Sequence, residues 1–340
     1  MVKIIVDCFG ADNGLECVVQ GAVDALAKKD GYKVVLVGDK DRIEKCITGY
    51  EDRIEIIHTT EEITCEEEPV KAIRSKKESS IVKGLELLKS DEECKAFISA
   101  GSTGAVLVGS TLKIGRLEGV SRPALCPVLH TSLDDKKVLL LDCGANADCK
   151  PINLCHFALM ATCYSQAVLG VEKPVVALLS NGTEAQKGNA LVHEVYPALS
   201  QMQEINFAGN TEARDILSGD FDIVVTDGFS GNVALKSIEG GIKLLMKELK
   251  KEVHSSLRSK IGGLLLKKSL KKIKGKLDFA SYSGALFLGL KNMVYKVHGS
   301  TNSMGVTKTV LQAVEAVENN VIDLIAEKIE KTDLSAVKVE

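Results

Sequence analysis

Continuous apolar runs alternate along this chain with apolar stripes of helical spacing, and that alternation sets the expected fold. Val2–Phe9 reads as a strand, followed by a helix to about Lys29; Tyr32–Gly38 and Ile54–His58 read as two further strands. An acidic, irregular stretch, Thr59–Glu68, leads into one expected helix from Pro69 to Lys89. Its apolar side is Ala72, Ile73, Ile81, Val82, Leu85 and Leu88. Cys94–Ala100 is the next strand, and Gly101-Ser102-Thr103-Gly104 opens a helix through Leu112. Ala124–Leu129 and Val138–Leu141 are strands, and Asn153–Leu169 is a helix. Val175–Leu179 runs without alternation, as strands covered on both faces do. It breaks at Ser180-Asn181-Gly182-Thr183, and a helix follows over Leu191–Gln203. Ile205–Ala208 is a short strand before the loop Gly209–Asp215, and Phe221–Thr226 leads to Asp227–Asn232 and a long helix.

Strands alternating with helices imply crossovers and an α/β fold with a mostly parallel sheet. Ligands in such sheets bind beyond the carboxyl ends of the strands. Five loops that share one grammar are Gly101–Gly104, Asp142–Pro151, Asn181–Asn189, Asp227–Asn232 and His298–Ser303. Each carries glycine together with Ser, Thr or Asn. Any βα loop favours small residues, but that preference does not account for Lys150, Lys187, Asn146, Asn189 and Asn232 recurring there. A strand feeding a glycine turn and a helix N-terminus makes a seat for an anion. Lys187 stands at such a seat as a point charge on a flexible stem.

Composition narrows the function. At 340 residues and 45% hydrophobic, the chain can bury a sizeable core, and it is read as a single α/β domain over residues 1–340. Aromatic residues make up only 4% with no Trp, which removes the stacking platforms of single-strand nucleic-acid binders. A net charge of −3 also argues against nucleic acid as a partner. The ten cysteines form no C-x-x-C, so zinc and thioredoxin spacings are absent and no metal site is expected. Unpatterned cysteines suit a reducing cytosol. The N-terminal apolar run meets Asp7 too soon for a secretory signal, and no 18-residue continuous apolar stretch is present to span a bilayer.

One segment differs in kind. Leu257–Lys276 carries Arg258, Lys260, Lys267, Lys268, Lys271, Lys272, Lys274 and Lys276 without one acidic residue. Its apolar positions have helical spacing on either side of Gly262-Gly263, so two helices meeting at a bend there are expected, with Leu264, Leu265 and Leu266 exposed near the tip. The protruding pair is placed within residues 240–280. Such a surface can rest on anionic lipid or receive an acidic protein.

The familiar nucleotide and hydrolase signatures are missing: there is no Walker A loop, G-x-G-x-x-G, G-x-S-x-G or H-E-x-x-H. Cys155 and His156 are adjacent on one helix and point apart, so they read as packing. What remains is anion handling with no evident protein nucleophile. Phosphate can itself be the nucleophile if it is positioned. A thioester is a fitting acceptor, because its thiolate leaves without acid catalysis.

In order and spacing, the chain resembles the phosphate acyltransferase (PlsX) family of bacterial phospholipid synthesis over nearly its whole length. The pieces are Asp7-Cys-Phe-Gly-Ala-Asp12, Gly101-Ser-Thr-Gly-Ala105, Asp142-Cys-Gly-Ala-Asn-Ala-Asp-Cys-Lys-Pro151, Asn181-Gly-Thr-Glu-Ala-Gln-Lys-Gly-Asn189, Gly209-Asn-Thr-Glu-Ala-Arg-Asp215, Asp227-Gly-Phe-Ser-Gly-Asn232 and His298-Gly-Ser300. The resemblance implies a homodimeric three-layer α/β/α sandwich related to the phosphotransacetylase and isopropylmalate dehydrogenase folds. It implies transfer of a fatty acyl group from acyl carrier protein to inorganic phosphate, without a cofactor. The acyl phosphate would pass to a membrane glycerol-phosphate acyltransferase, and the enzyme would sit peripherally on the inner face of the cell membrane. Lys187 and Asn232 match the family's active-site lysine and asparagine. Substrate contacts are expected from the motif loops at Asp7, Gly10, Asp12, Gly101, Ser102, Thr103, Gly104, Asp142, Gly144, Asn146, Lys150, Asn181, Gly182, Gly188, Asn189, Asp227, Ser230, Gly231 and His298. The basic pair matches the segment that the family uses for membrane attachment and carrier-protein docking. The first loop departs from the family's Asp-Ala-Met-Gly-Gly-Asp at Cys8, Phe9 and Ala11, and Ser283-Gly-Ala-Leu286 stands where Gly-Gly-Ala-Pro is usual. An enzyme of the same fold acting on a coenzyme A thioester or a hydroxy acid, and a non-catalytic membrane-surface scaffold, are the rival readings.

Overall fold

The apolar runs pair as strands, but in two sheets where the sequence suggests one. The computed structural model describes residues 1–277 and 283–334. With strands numbered in chain order, β1 is Val2–Asp7, β2 Tyr32–Gly38, β3 Ile54–His58, β4 Cys94–Ser99, β5 Ala124–Cys126 and β6 Val128–His130. Then come β7 Lys137–Leu141, β8 Val175–Ser180, β9 Asn206–Glu212, β10 Ile223–Val225, β11 Ala285–Leu288 and β12 Met293–Lys296. The first sheet runs β3-β2-β1-β4-β12-β11-β5 and the second β6-β7-β10-β8-β9. Pairs β1–β2, β1–β4, β4–β12 and β2–β3 are parallel, as are β7–β10, β10–β8 and β8–β9. The antiparallel pairs are β5–β11, β11–β12 and β6–β7.

Helices on both faces explain why the strands carry no polar alternation. In β1, Ile4 and Val6 point into one apolar cluster and Ile5 into another. The first cluster includes residues of α1 (Gly14–Leu26) and α11 (Ser303–Glu318); the second includes residues of α3 (Pro69–Ser75), α4 (Ser80–Ser90) and α5 (Thr103–Lys113). The second sheet is covered by α6 (Pro151–Leu169) and α7 (Ala190–Gln201) on one face and by α8 (Gly228–His254) on the other. α6 touches strands of both sheets and α12 (Val321–Lys331), so one core runs through the molecule. α6 is long and apolar enough to cross a membrane by length and composition, but it is mostly buried inside the fold. A helix apolar all round in such a position is a core helix.

Four boundaries differ from the sequence reading. Ala124–Leu129 is not one strand: the chain leaves the first sheet after β5 and joins the second at β6. Pro127 lies between them and has no N–H for a ladder. The helix expected over Pro69–Lys89 breaks between α3 and α4, where residues 76–79 offer no apolar side chain to the core. β9 continues through Glu212, so the stretch expected to be a loop from Gly209 is largely strand. Asn232 lies on α8, not in a preceding loop.

The basic segment forms α9 (Leu257–Leu265) and α10 (Lys267–Leu277); the last residues of the 240–280 span, 278–280, lie outside the described residues. The break falls at Leu266, not at the glycines. Gly263 is helical because α9 packs closely on α8: a Cβ there would meet Val253 Cγ1 at 2.4 Å. Leu264, Leu265 and Leu266 are exposed at the tip, as expected.

Candidate active site

Two of the recurring motifs prove to be one structural unit. Asp142 follows β7, and its buried carboxylate accepts from Leu125 N (3.0 Å), Ala145 N (3.0 Å), Asn146 N (2.7 Å) and Asn146 Nδ2 (2.9 Å). Burial pushes its pKa up, and those hydrogen bonds oppose the rise. Asn146 Nδ2 also reaches Pro123 O at 2.7 Å, so this side chain is occupied in holding the turn. Asp227 caps α8 by accepting from Ser230 N (2.8 Å) and Ser230 Oγ (2.9 Å). The first turn of α8 then lies directly on the Asp142–Asn146 turn. Only glycine fits at 231, where a Cβ would come within 1.9 Å of Asp142 O. Asn232 rides out of this contact over Gly144, an exposed glycine with φ +116°.

Along α8, Lys236 and Glu239 follow Asn232 at i+4 and i+7 and share its face. Glu239 is buried, with Lys236 Nζ at 2.8 Å and His298 Nε2 at 3.7 Å. Burial alone would raise the Glu239 carboxyl, but His298 and Lys236 hold it down at about 2. His298 Nδ1 accepts from Ser300 N (3.1 Å) and lies 2.8 Å from Ser300 Oγ, leaving Nε2 as the protonated nitrogen toward Glu239. A helix of the second sheet thereby meets a loop of the first.

The first sheet contributes its topological switch point, between β1 and β4, where Gly10, Asp12, Gly101 and Ser102 line a polar cleft. Asp7 Oδ2 accepts from Ser99 Oγ at 2.6 Å and Oδ1 from Phe9 N at 3.0 Å. Burial raises the Asp7 pKa from 3.8 to about 6. Gly10 (φ +80°) lies against the Gly101 backbone, where a Cβ would come within 2.4 Å of Gly101 Cα. Ser102 caps α5 through Ala105 N, and Thr103 and Gly104 form its first turn. Asp12 is exposed beside Gly299.

Lys187 belongs to a different flank. It is exposed, and its turn is pinned by Asn210 Nδ2, which donates to Glu184 O (2.9 Å) and Lys187 O (3.3 Å). Asn189 caps α7 through Val192 N at 3.0 Å, and Gly188 (φ +126°) precedes it. Beside this loop opens a cavity of about 800 Å³ lined by Asn181, Gly188, Asn189, Arg214, Phe229, Val233 and Ile238, among others. Of the α8 residues on that wall, Ser230, Ala234, Ser237 and Ile238 face away from Asn232, and Phe229 and Val233 lie at the edge between the two faces. Asn232 and the Lys187 loop are thus each placed near the first turns of α8, the loop through the shared cavity wall of Asn181, Gly188 and Asn189. Gly182 is buried under the Lys187 stem, and Lys150 is exposed at the start of α6. Arg258, Lys260, Lys267, Lys268, Lys271 and Lys272 are all exposed on the helical pair.

His156 is buried against Ser121 Oγ at 3.3 Å and burial lowers its pKa, a core role with no link to the cleft. Among the described residues no group of three His, Cys, Asp or Glu is placed to hold a metal ion. Lys236, Glu239 and Lys296 were not legible as site residues, whereas Ser300 belongs to the His298-Gly-Ser300 motif. Helical spacing from Asn232 is the signal that points to the first two; Lys296 lies on β12, a strand that the apolar pattern did not reveal.

Two covered, mostly parallel sheets with polar groups gathered at their carboxyl ends define an α/β fold of the phosphotransacylase type. The branched-chain phosphotransacylase of Enterococcus faecalis V583 superposes with a TM-score of 0.59 at 15% identity, over 93% of this chain and 99% of that one. A phosphotransacetylase from Staphylococcus aureus gives 0.55 at 18% identity, over 96% of this chain and 94% of that one. The chain belongs to the phosphate acyltransferase family: the family model described as "Fatty acid synthesis protein" matches residues 2–324. The phosphate acyltransferase of Clostridioides difficile (strain 630) is 43% identical over 333 residues, 97% of each chain. That of Caldicellulosiruptor saccharolyticus is 46% identical over 331 residues, 96% of this chain and 98% of its own.

Proposed function

We propose that this protein transfers a fatty acyl group from acyl carrier protein to inorganic phosphate, releasing acyl phosphate and free carrier protein. The observation that carries the reading is identity of over 40%, across nearly the whole chain, to proteins named phosphate acyltransferase. The chemistry of the cleft agrees with it. A phosphate oxygen attacks the thioester carbonyl, the carbonyl electron pair moves to an oxyanion, and collapse expels the carrier thiolate, which takes a proton from water. The carbonyl sits over the N-terminal turns of α8, where Asn232 and Lys187 offer an amide donor and a cation to the developing charge. The cavity beside Lys187, with Phe229, Val233 and Ile238 on its wall, suits an acyl chain. In this reading phosphate attacks directly, with no acyl-enzyme; burial raises the thiols of Cys8, Cys126, Cys143, Cys155 and Cys163, which disfavours those five as nucleophiles.

The helical pair favours the carrier protein over coenzyme A as donor. Its exposed lysines present an extended positive surface with no acid among residues 257–276, which matches an acidic protein, and its exposed leucines suit an anionic bilayer. The protein accordingly works as a peripheral enzyme on the cytoplasmic face of the membrane and hands acyl phosphate to a membrane glycerol-phosphate acyltransferase. Exposed Leu244 and Leu245, farther along α8, support a homodimer. The phosphotransacylase titles of the structural neighbours favour one rival, a coenzyme A thioester as donor. Incubating the protein with phosphate and either thioester separates them: acyl phosphate is expected from the carrier-protein thioester, and preference for coenzyme A in kcat/KM would overturn the donor assignment.

A further inference from the structure

Lys296 is the cation that nothing in the motif reading accounts for. It ends β12, beside Ser99 of β4, and its ammonium donates to Ala100 O at 3.0 Å and to Val297 O. Those two carbonyls take two of its three hydrogens. Among the described residues no carboxylate lies within 4 Å of it, although Asp7 and Asp12 act on it electrostatically from farther away. Asp7 already has both oxygens engaged by Ser99 and Phe9. Lys236 of α8, held by Glu239, also acts on it electrostatically, as does Cys65. Two residues on, His298 lines the same joint with its Nε2 3.7 Å from Glu239.

A half-buried cation without a carboxylate partner is poorly compensated, and an arriving anion would relieve it. Here the enclosure lowers the Lys296 pKa to about 8. Its position is also the one where α/β sheets take ligands, beyond the strand ends at the switch point, with the α5 N-terminus alongside. The backbones of Gly10 and Gly101 meet here without side chains.

We propose that Lys296 seats the attacking inorganic phosphate at the switch point, with Lys236, itself paired to Glu239, adding positive potential nearby. This deepens the acyl-transfer reading and rests on it. Phosphate is thereby placed at the switch point, while the acyl chain lies on the Lys187 flank, and the two reactants meet over the first turns of α8. A plain structural alternative is that Lys296 only staples β4 to β12 and balances Asp7.

The test is equilibrium dialysis of the full-length protein with radiolabelled inorganic phosphate, followed by turnover kinetics. Wild type should bind phosphate saturably, and Lys296→Met should weaken binding by roughly tenfold or more, as loss of a charge-assisted contact does. In turnover, Lys296→Met should raise the KM for phosphate with little change in the KM for the acyl thioester, and Lys296→Arg should restore most of it. Wild-type kcat/KM for phosphate should fall as pH passes about 8, and this limb should move upward in Lys296→Arg. Unfolding curves of both variants separate a folding defect from a binding one. Absent wild-type phosphate binding, or equal binding by wild type and folded Lys296→Met, overturns the proposal. So does recovery of normal turnover in Asp7→Asn/Lys296→Met, which would leave Lys296 a charge balance only. Phosphate binding that depends on Lys296, in a protein that makes no acyl phosphate from any thioester, would instead overturn the acyl-transfer reading.

Discussion

Asp7 shows how far a single carboxylate can be bent by its surroundings. Its folded pKa of about 6 lies above the ordinary 3.8, so the folded state keeps a proton that the unfolded chain has lost between those values. Stability from this group is therefore greatest below about pH 4 and declines as pH rises toward 6, by an amount on the order of 3 kcal/mol. Asp7→Asn should flatten that decline, which thermal unfolding at pH 4 and pH 7 would show; an unchanged slope would mean that Asp7 ionises freely in the fold. At the reacting centre, Lys187→Ala should lower acyl-phosphate formation by roughly 10²-fold or more without shifting the unfolding midpoint, since the side chain is exposed. Near-normal turnover would remove Lys187 from the chemistry. The motifs made these positions legible, yet much of their grammar turns out to be structural. Asp142 and Asn146 hold a turn, and Ser102, Asn189 and Asp227 cap helices. Lys236, Glu239 and Lys296 stayed hidden because their significance comes from a contact between distant parts of the chain, not from local composition.

At the scale of elements, the apolar runs located most strands well, because a strand buried on both faces announces itself by unbroken hydrophobicity. β2 and β3 fall where the pattern put them. The pattern failed where backbone chemistry or close packing decided: at Pro127 between β5 and β6, and at Gly263, which stays helical because α9 needs its small size against Val253. The helical pair carries two separable predictions. Replacing Leu264, Leu265 and Leu266 together by Ser should loosen binding to anionic vesicles in co-sedimentation while leaving turnover with soluble substrate unaltered; equal sedimentation would retire the membrane role. Reversing charge at Lys271 and Lys272 to Glu should raise the KM for acyl carrier protein severalfold more than it changes kcat. An effect on kcat alone would place these lysines outside docking.

For the whole molecule, the sequence conveyed the α/β class but not the division into two sheets. Strand order is set by pairings between segments far apart in the chain, such as β4 with β12, and no local pattern records them. That division matters, because it creates the joint where α8 from one sheet meets the His298 loop of the other. The account treats this joint as a place where phosphate attacks a thioester directly, with the protein supplying charge and position only. The most direct test is to mix the protein with acyl carrier protein carrying a labelled fatty chain, quench in acid during turnover with and without phosphate, and weigh the intact protein by mass spectrometry. The account predicts labelled acyl phosphate only when phosphate is present and a protein mass unchanged at every time point. A labelled acyl adduct on Cys65 or any other side chain, formed and consumed at the rate of turnover, would contradict it.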